Sequence, residues 1–350
     1  MKNKKHAATA GYTHYAGRLM FTACLILHSL LFTTIALPSA AQSKRQKVKV
    51  RIDSVLNARY FSAKYDTAYI GRPQERLTLK LRTNISGSEF ETHQRIAGSE
   101  GRGRLSTAHK ATVSVGASYR GISVGLALNP GSLSGRNKDF ELNVNAYANR
   151  YGIDVVYQNS QTLSGLISHN GHYAMLERGM ADMKMLIVDA YYAFNGRRFS
   201  YPAAFTQSYF QKRSAGSWLV GFSYLGARIK TTEKKIAEDF EMKINIGHLG
   251  IGGGYGYNFV AGKHLLLHLS ALPTLVIASY NNVEEKGQRL DIGAKFPDFI
   301  LTERASLVWQ FNTRYFMGAT FVMSNSFLGD RSAEINYNKW RLRAFFGFRL

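Results

Sequence analysis

Apolar and polar residues alternate along most of the chain after residue 75. Between Val113 and Tyr119, every second residue is apolar or aromatic, and the residues between them are Ser or Gly. The same period of two covers the last residues, where every second position from Trp340 to Leu350 is apolar. A membrane-spanning strand needs ~9–11 residues with alternate side chains facing lipid. The pattern predicts an all-β fold, a closed antiparallel transmembrane β-barrel.

The alternating segments number about twelve. In lipid an open sheet edge would leave backbone groups unpaired, so the first and last strands are expected to pair and close the barrel. The predicted strands are centred on residues 76–85, 110–119, 121–129, 139–149, 151–159, 185–195, 215–228, 243–258, 263–276, 302–313, 314–325 and 339–350.

Short and long connections alternate between these strands, as in outer-membrane barrels. Short turns are predicted at 120–121, 149–152, 261–263 and 313–314, and long connections at 86–109, 130–138, 160–184, 229–242, 277–301 and 326–338. Residues 196–214 are too long for the short turn expected there, so we interpret them as a non-spanning insert. The insert is either a packed plug or an ordinary ordered turn. Its plug candidates are Phe199, Tyr201, Phe205, Gln207 and Gln211.

The N-terminal residues differ from the rest of the chain. Residues 1–41 combine a basic head, an apolar run and the small residues Ser39 and Ala41, which predicts a cleaved signal peptide rather than the alternative, a permanent anchor helix. Residues 42–75 are expected to form a periplasmic basic tether, and residues 76–350 the barrel. Cys24, the only cysteine, lies in the predicted signal peptide, so the exported chain would have no disulfide.

Three motifs are distinctive in combination; two lie outside the predicted strands, and the third opens the strand 215–228. They are the stretches 65–73 (YDTAYIGRP), 199–207 (FSYPAAFTQ) and 211–217 (QKRSAGS). Together they resemble a Bacteroidota family catalogued as domain of unknown function 4421, and the resemblance covers nearly all of the exported chain. The resemblance implies an outer-membrane barrel without an established activity or catalytic residue.

The most specific site prediction is a basic wall inside the barrel. Leu77, Leu79 and Leu81 would face lipid, which turns Lys80 and Arg82 inward. Closure would bring the inward residues of the last strand, Arg341, Arg343 and Arg349, beside them. These cations would attract anions if unpaired. The alternative is that Asp154, Asp189 or acidic residues of the insert neutralise them.

The histidines raise the possibility of an enzyme. His264 and His268 are predicted on one inward face, about 13 Å apart at ~3.3 Å per residue, which is too far for one metal ion. A lipid hydrolase would need a Ser–His pair, for which His248 and Ser306 are the candidates. Solvated histidines are the alternative. The sequence predicts no metal site and no cofactor.

Three functions follow. The first is a narrow channel or transporter for small anionic solutes, because the net charge is +22 and the inward row is basic. The second is a structural or assembly barrel that binds a periplasmic protein, and the third, well behind, is an outer-membrane lipid hydrolase. The expected partners are outer-membrane lipid and lipopolysaccharide, with no nucleic acid, and the expected location is the cell outer membrane.

Overall fold

The computed structural model describes Ser54 and residues 64–75, 77–96, 99–119, 122–128, 139–231, 242–285, 288–291, 297–329 and 333–350. The chain divides into units of residues 1–62 and 63–350, and all described strands belong to the second. The predicted signal peptide and most of the predicted tether lie outside the described residues. Among those residues, no helix has the length and apolar character needed to cross a membrane.

The fold of the second unit is almost entirely β, as the alternation predicts. It contains eighteen described strands and one short helix, α1 (Tyr201–Phe205). The strands are β1 (Ile70–Gly71), β2 (Leu77–Ile96), β3 (Ser99–Ser106), β4 (Lys110–Tyr119), β5 (Ile122–Leu128), β6 (Phe140–Tyr147), β7 (Tyr151–Ser160), β8 (Ser164–His169), β9 (His172–Leu176), β10 (Ala181–Ala193), β11 (Phe210–Gln211), β12 (Ala215–Thr231), β13 (Met242–Ala261), β14 (Leu265–Glu285), β15 (Gln288–Asp291), β16 (Phe299–Gln310), β17 (Tyr315–Gly329) and β18 (Ala333–Arg349).

Antiparallel pairing joins the long strands in the order β5-β4-β2-β18-β17-β16-β14-β13-β12-β10-β7-β6. Each of the twelve predicted segments overlaps one of these strands. The first and last predicted strands pair, since Gly347 of β18 lies opposite Lys80 of β2. A pairing of β5 with β6, which a closed cylinder requires, is not among the described pairs, and residues 129–138 between them lie outside the described residues.

The sheet curls strongly, so that side chains from distant strands meet on its inner face. Lys339 of β18 lies 2.9 Å from Glu141 of β6. Arg304 of β16 lies 3.0 Å from Asp154 of β7, five strands away in the sheet order. In a flat sheet, neighbouring strands lie ~4.8 Å apart, so side chains of strands five steps apart could not touch. The inner face therefore encloses a packed interior.

Several predicted long connections are wrong, because they are β structure. β2 continues to Ile96 and forms a hairpin with β3, β8 and β9 form another hairpin, and β14 continues to Glu285. In these extensions the outward residues are often charged, such as Glu89 and Glu91. Strand pairing persists there through backbone hydrogen bonds, while the hydrophobic alternation that reveals a strand in the sequence is lost. The sheet thus has a short-turn end and a long-hairpin end.

Candidate functional site

Residues 196–214, hereafter the plug, lie at the short-turn end and pack inside the curl of the sheet. Ser200 begins α1 by accepting a hydrogen bond at its side chain from the Ala203 amide, and Pro202 occupies the first turn, both common at helix starts. All five residues of α1 are buried. Gln207, at φ 53°, turns the chain back toward the rim. Each plug candidate named from the sequence is buried, from Phe199 to Gln211.

Gln211 holds the two arms of the plug together. Its amide nitrogen donates to the carbonyl oxygens of Arg198 at 2.6 Å and Arg213 at 2.9 Å. Its amide oxygen accepts from the Ser200 backbone amide at 3.1 Å and from the Asn258 side chain at 2.9 Å. A buried amide with this many satisfied partners fixes a single conformation of the segment around it.

The segment 64–73 is bound to the outer side of the plug. β1 pairs with β11, which places Ile70 opposite Gln211 and buries the Ile70 side chain completely. Asp66 forms an ion pair with Arg198 at 3.3 Å, and the Lys212 ammonium group donates to the Thr67 carbonyl at 3.0 Å. The first and third motifs of the family resemblance, 65–73 and 211–217, are therefore in direct contact.

Arg72 and Tyr209 add a further contact between this segment and the plug. The Arg72 guanidinium donates to the Tyr209 hydroxyl and lies over its ring, 4.2 Å from the centroid. Burial raises the pKa of Tyr209 although Arg72 opposes the shift, so the hydroxyl stays neutral at neutral pH. The contact is therefore a cation on a neutral phenol.

A chain of hydrogen bonds attaches α1 to the wall of the sheet. The Tyr201 hydroxyl donates to Ser270 at 2.9 Å, Ser270 lies 3.0 Å from Nε2 of His268, and Nδ1 of His268 lies 2.7 Å from Asn258. If His268 donates from Nδ1 and accepts at Nε2, every member of the chain is satisfied. The sequence analysis missed this arrangement, because Asn258 and His268 come together only through the pairing of β13 with β14.

Ser270, His268 and Asn258 have the composition of a hydrolytic triad, but their surroundings are those of an anchor. His268 and Asn258 are completely buried, and Phe199, Tyr201 and Phe205 cover the imidazole. An acyl substrate would have to replace the Tyr201 hydroxyl against Ser270. His248 and Ser306, the sequence candidates, are not paired. Ser306 donates to the Ala204 carbonyl at 2.7 Å, and His248 lies opposite Leu225, toward the long-hairpin end.

The predicted basic wall lies on β2 and β18, next to the plug. Lys80 donates to the Thr206 carbonyl and, at 3.1 Å, to Gln207. Arg349 donates to the Gln310 side chain at 3.0 Å and to the Thr313 carbonyl at 2.9 Å. Arg343 donates to Asn84 at 2.6 Å.

The two remaining cations of this wall lie on the same two strands. Arg341 donates to Asn143, across the interior. Arg82 makes no hydrogen bond or ion pair within the part of the chain that the structure describes. We call the five cations, Lys80, Arg82, Arg341, Arg343 and Arg349, the seam cations.

The predicted neutralisation of the seam cations by Asp154 and Asp189 is not what the structure contains. Asp154 pairs with Arg304, a residue that the sequence analysis did not single out, and also binds Tyr147. Asp189 accepts hydrogen bonds from Ser223 at 2.7 Å and Thr302 at 3.3 Å. Residues 196–214 contain no Asp or Glu. Asp154 and Asp189 instead bind residues of β16, because β7 and β10 face β16 across the interior.

His264 lies apart from the interior. Its ring nitrogen Nδ1 is 2.6 Å from the Gln310 carbonyl, and the side chain is exposed in the turn before β14, because the strand begins only at Leu265. His268 alone of the predicted pair lies inside. Within the described ranges no group of three or more His, Cys, Asp or Glu residues is arranged to hold a metal ion.

A pocket of about 430 Å³ opens beside the plug at the short-turn end. Phe210, Val260 and Leu266 supply its apolar lining, and Lys212 and Lys263 lie at its edge. The pocket is therefore bounded on one side by the plug and on the other by the turns that follow β13 and β16.

The structure is similar at low level to solved outer-membrane proteins. OmpT, an outer-membrane protease of Escherichia coli, is 7% identical with a TM-score of 0.40, covering 79% of this chain and 97% of that one. The translocator domain of the autotransporter NalP of Neisseria meningitidis is 11% identical with a TM-score of 0.29, covering 89% and 98%. OprG of Pseudomonas aeruginosa is 11% identical with a TM-score of 0.25, covering 79% and 97%.

No curated protein matches the sequence. The family comparison agrees with the motifs in segments 65–73, 199–207 and 211–217. Residues 64–350 match the family described as Domain of unknown function (DUF4421), and the chain belongs to that family.

Proposed function

We propose that the chain is an outer-membrane β-barrel that serves as a closed scaffold and binds an acidic periplasmic protein at its short-turn end. The membrane location is supported by the outer face of the sheet. Leu81 is 53% exposed, Val115 62% and Phe346 47%, on three strands that follow one another in the sheet. A belt of exposed aliphatic and aromatic side chains continuing around the sheet is far larger than a soluble monomer tolerates.

Aromatic side chains border this belt at the short-turn end. The exposed members are Tyr151, Phe194, Trp218, Trp309, Phe311 and Tyr315. Aromatic girdles mark the interfaces of transmembrane barrels, and short turns face the periplasm in that class. The plug and segment 64–75 would then lie on the periplasmic side.

The filled interior favours a scaffold over an open pore. Around the plug, a buried apolar cluster includes Ile70, Leu266 and Phe316. Toward the long-hairpin end, a second buried cluster unites walls that face each other, among them Met185 of β10, Leu225 of β12 and Ile335 of β18. Between the two clusters lie the buried ion pairs. The two clusters and the ion pairs between them fill the interior at three levels. The accessible surfaces of the barrel are therefore its two ends.

The short-turn end has the chemistry of a docking surface for an acidic protein. Exposed cations surround the pocket and the plug, namely Lys64, Arg150, Arg197, Arg198, Lys212, Arg213, Lys263 and Arg314. Asp66 and Glu75, both half-buried, are the acids of the described part of this end. An apolar pocket within a basic surrounding fits an acidic chain that inserts an apolar side chain. The pocket carries this proposal.

Photo-crosslinking in intact cells tests the proposal. A photoreactive phenylalanine analogue at Phe210, in the pocket, is expected to crosslink one periplasmic protein. The double reversal Lys212→Glu plus Lys263→Glu should abolish the adduct, because it changes the sign of the pocket edge. The matched control is Arg102→Glu plus Arg178→Glu, two exposed cations outside this end. An adduct that survives the first reversal, or is lost equally in both, contradicts the proposal.

A gated passage for small anions is the second candidate, favoured by the seam cations. Lys80, Arg341 and Arg343 donate to amide and carbonyl groups rather than carboxylates, so removal of the plug would leave a positive wall. Planar-bilayer recording should then find anion-selective conductance in a chain lacking residues 199–210. Lys80→Ala plus Arg343→Ala should weaken that selectivity. Absence of conductance, or selectivity unchanged by the substitutions, excludes this candidate.

A further inference from the structure

A groove of about 720 Å³ lies on the outer face of the sheet, toward the long-hairpin end. It crosses β10, β12, β13 and β14 where two glycines, Gly226 and Gly247, lie opposite each other. Tyr157 and Leu186 border it on one side and Tyr280 on the other. Around Gly247 the space is open, since an added Cβ would meet nothing nearer than 3.8 Å. At Gly226 the Tyr224 side chain lies over the glycine, so the depression is open at Gly247.

Strand register orders the outward residues of the groove into rows. The glycine row contains Leu186, Gly226, Gly247 and Tyr280. Two residues farther from the short-turn end, the row contains Lys184 and Arg228 with Asn245 and Asn282. Asp291 continues this row opposite Asn282. The following row contains Asp182, Lys230, Lys243, Glu284 and Arg289. Polarity therefore changes over two steps along the strands from apolar to charged, with more cations than acids.

The position of this change matches the far boundary of a bilayer. Gly226 is eight residues beyond Trp218, which belongs to the aromatic girdle, or about 26 Å along β12 at ~3.3 Å per residue. With a strand tilt of about 40° this is a height of about 20 Å, and Arg228 lies at about 25 Å, the height of the apolar band of such barrels. The basic row is therefore at the level of the headgroups of the distal leaflet.

The groove carries an excess of positive charge whose hydrogen-bonding capacity is only partly used. Arg228 donates from Nε to Asn245 at 2.7 Å, and Lys243 pairs with Glu284 at 2.7 Å. Arg289 pairs with Asp291 at 3.0 Å and donates to the Tyr280 hydroxyl at 3.0 Å. Lys184 has no ion pair among the described residues. The terminal nitrogens of Arg228 and Lys184 suit a ligand with anionic oxygens, to which they would donate charge-assisted hydrogen bonds.

We infer that this groove binds a phosphorylated lipid of the distal leaflet, with an acyl chain against Leu186 and Leu249 and a phosphate between Lys184 and Arg228. The inference rests on the membrane location proposed above. A free phosphate would use the cations but not the apolar floor, and a neutral lipid would use the floor but not the cations. Only a ligand with both parts matches the change of polarity within one groove.

Native mass spectrometry of the exported chain in lipid nanodiscs tests the inference. The probes are bisphosphorylated lipid A, phosphatidylcholine and inorganic phosphate. One bisphosphorylated lipid is expected to remain bound, and Lys184→Gln plus Arg228→Gln should lower its retention about tenfold or more, since charge-assisted contacts are lost. The matched control is Arg102→Gln plus Arg178→Gln, which removes two exposed cations outside the groove and should leave the retention of the lipid unchanged.

Retention unchanged in the groove variant, equal loss in the control, or displacement of the lipid by inorganic phosphate overturns the inference. Flotation with liposomes separates this outcome from failure of the proposed membrane location. A chain that floats with the liposomes but retains no lipid A contradicts the lipid site alone. A chain that stays at the bottom of the gradient contradicts the membrane location itself.

Discussion

Asp154 and Arg304 show what single residues contribute to the interior. Their side chains are almost fully buried, and they meet at 3.0 Å from strands far apart in the sheet order. Asp154 also accepts hydrogen bonds from Tyr147 and Asn145. Such a pair fixes the spacing of two facing walls, because each buried charge depends on the other for compensation.

Arg304→Gln is predicted to destabilise the fold by about 3–5 kcal/mol, because it leaves the Asp154 carboxylate buried without a counter-charge. The double variant Asp154→Asn plus Arg304→Gln should recover part of that loss. Urea unfolding in lipid vesicles, followed by tryptophan fluorescence, measures both. The control is Arg102→Gln in an exposed ion pair with Glu100, which should leave the unfolding midpoint unchanged. A loss no greater than the control's would contradict the role of the buried pair.

At the scale of elements, the plug contains a helix, α1, that is too short to be stable alone. Its surroundings stabilise it. α1 has five residues, fewer than an isolated helix requires. Its stability comes from burial against β14 and β16 and from Gln211, which connects the two arms of the plug to the wall. β1 completes the element from outside. The plug and segment 64–73 therefore form one structural unit.

Gln211→Leu is predicted to loosen the plug while the sheet stays folded. The substitution leaves buried groups without hydrogen-bond partners, at about 1–3 kcal/mol for each. Trypsin reports the change, because Arg197, Arg198, Lys212 and Arg213 are exposed cleavage sites in the plug. Cleavage there should accelerate at least tenfold. Gln161→Leu, an exposed position after β7, is the control. Equal cleavage rates for both variants would exclude the role assigned to Gln211.

At the scale of the molecule, one rule of side-chain direction organises the sheet. Outward residues form an apolar belt, and inward residues form two apolar clusters with charged groups between them. A positive charge would thus be accommodated at an inward position and destabilising at the next, outward position of the same strand. On β2, Lys80 is buried among plug carbonyls, whereas Leu81 points away from the interior.

Val115→Arg is predicted to destabilise the protein in vesicles by about 2–4 kcal/mol, the cost of a cation near the middle of a bilayer. Val115 lies four residues from the short-turn end of β4, within the belt. Thr67→Arg, exposed and outside the sheet, is the control. Urea unfolding in vesicles and in detergent of the same protein provides the measurement. A cost of zero in vesicles would mean that Val115 faces water.

The sequence by itself determined the long strands and the face of most of their side chains, because a period of two is a local property that does not depend on neighbouring strands. It did not reveal the extended hairpins, whose outward residues are polar, or the pairing of Asp154 with Arg304 and of His268 with Asn258. Those contacts depend on curl and register, which join residues distant in the chain. The sequence marked residues 196–214 by their unexpected length, their aromatic residues and their family motifs, and the tertiary structure decided where they pack. Burial of α1 needs a surrounding wall of strands distant in the chain, among them β14 and β16, which enclose it only after the sheet has curled.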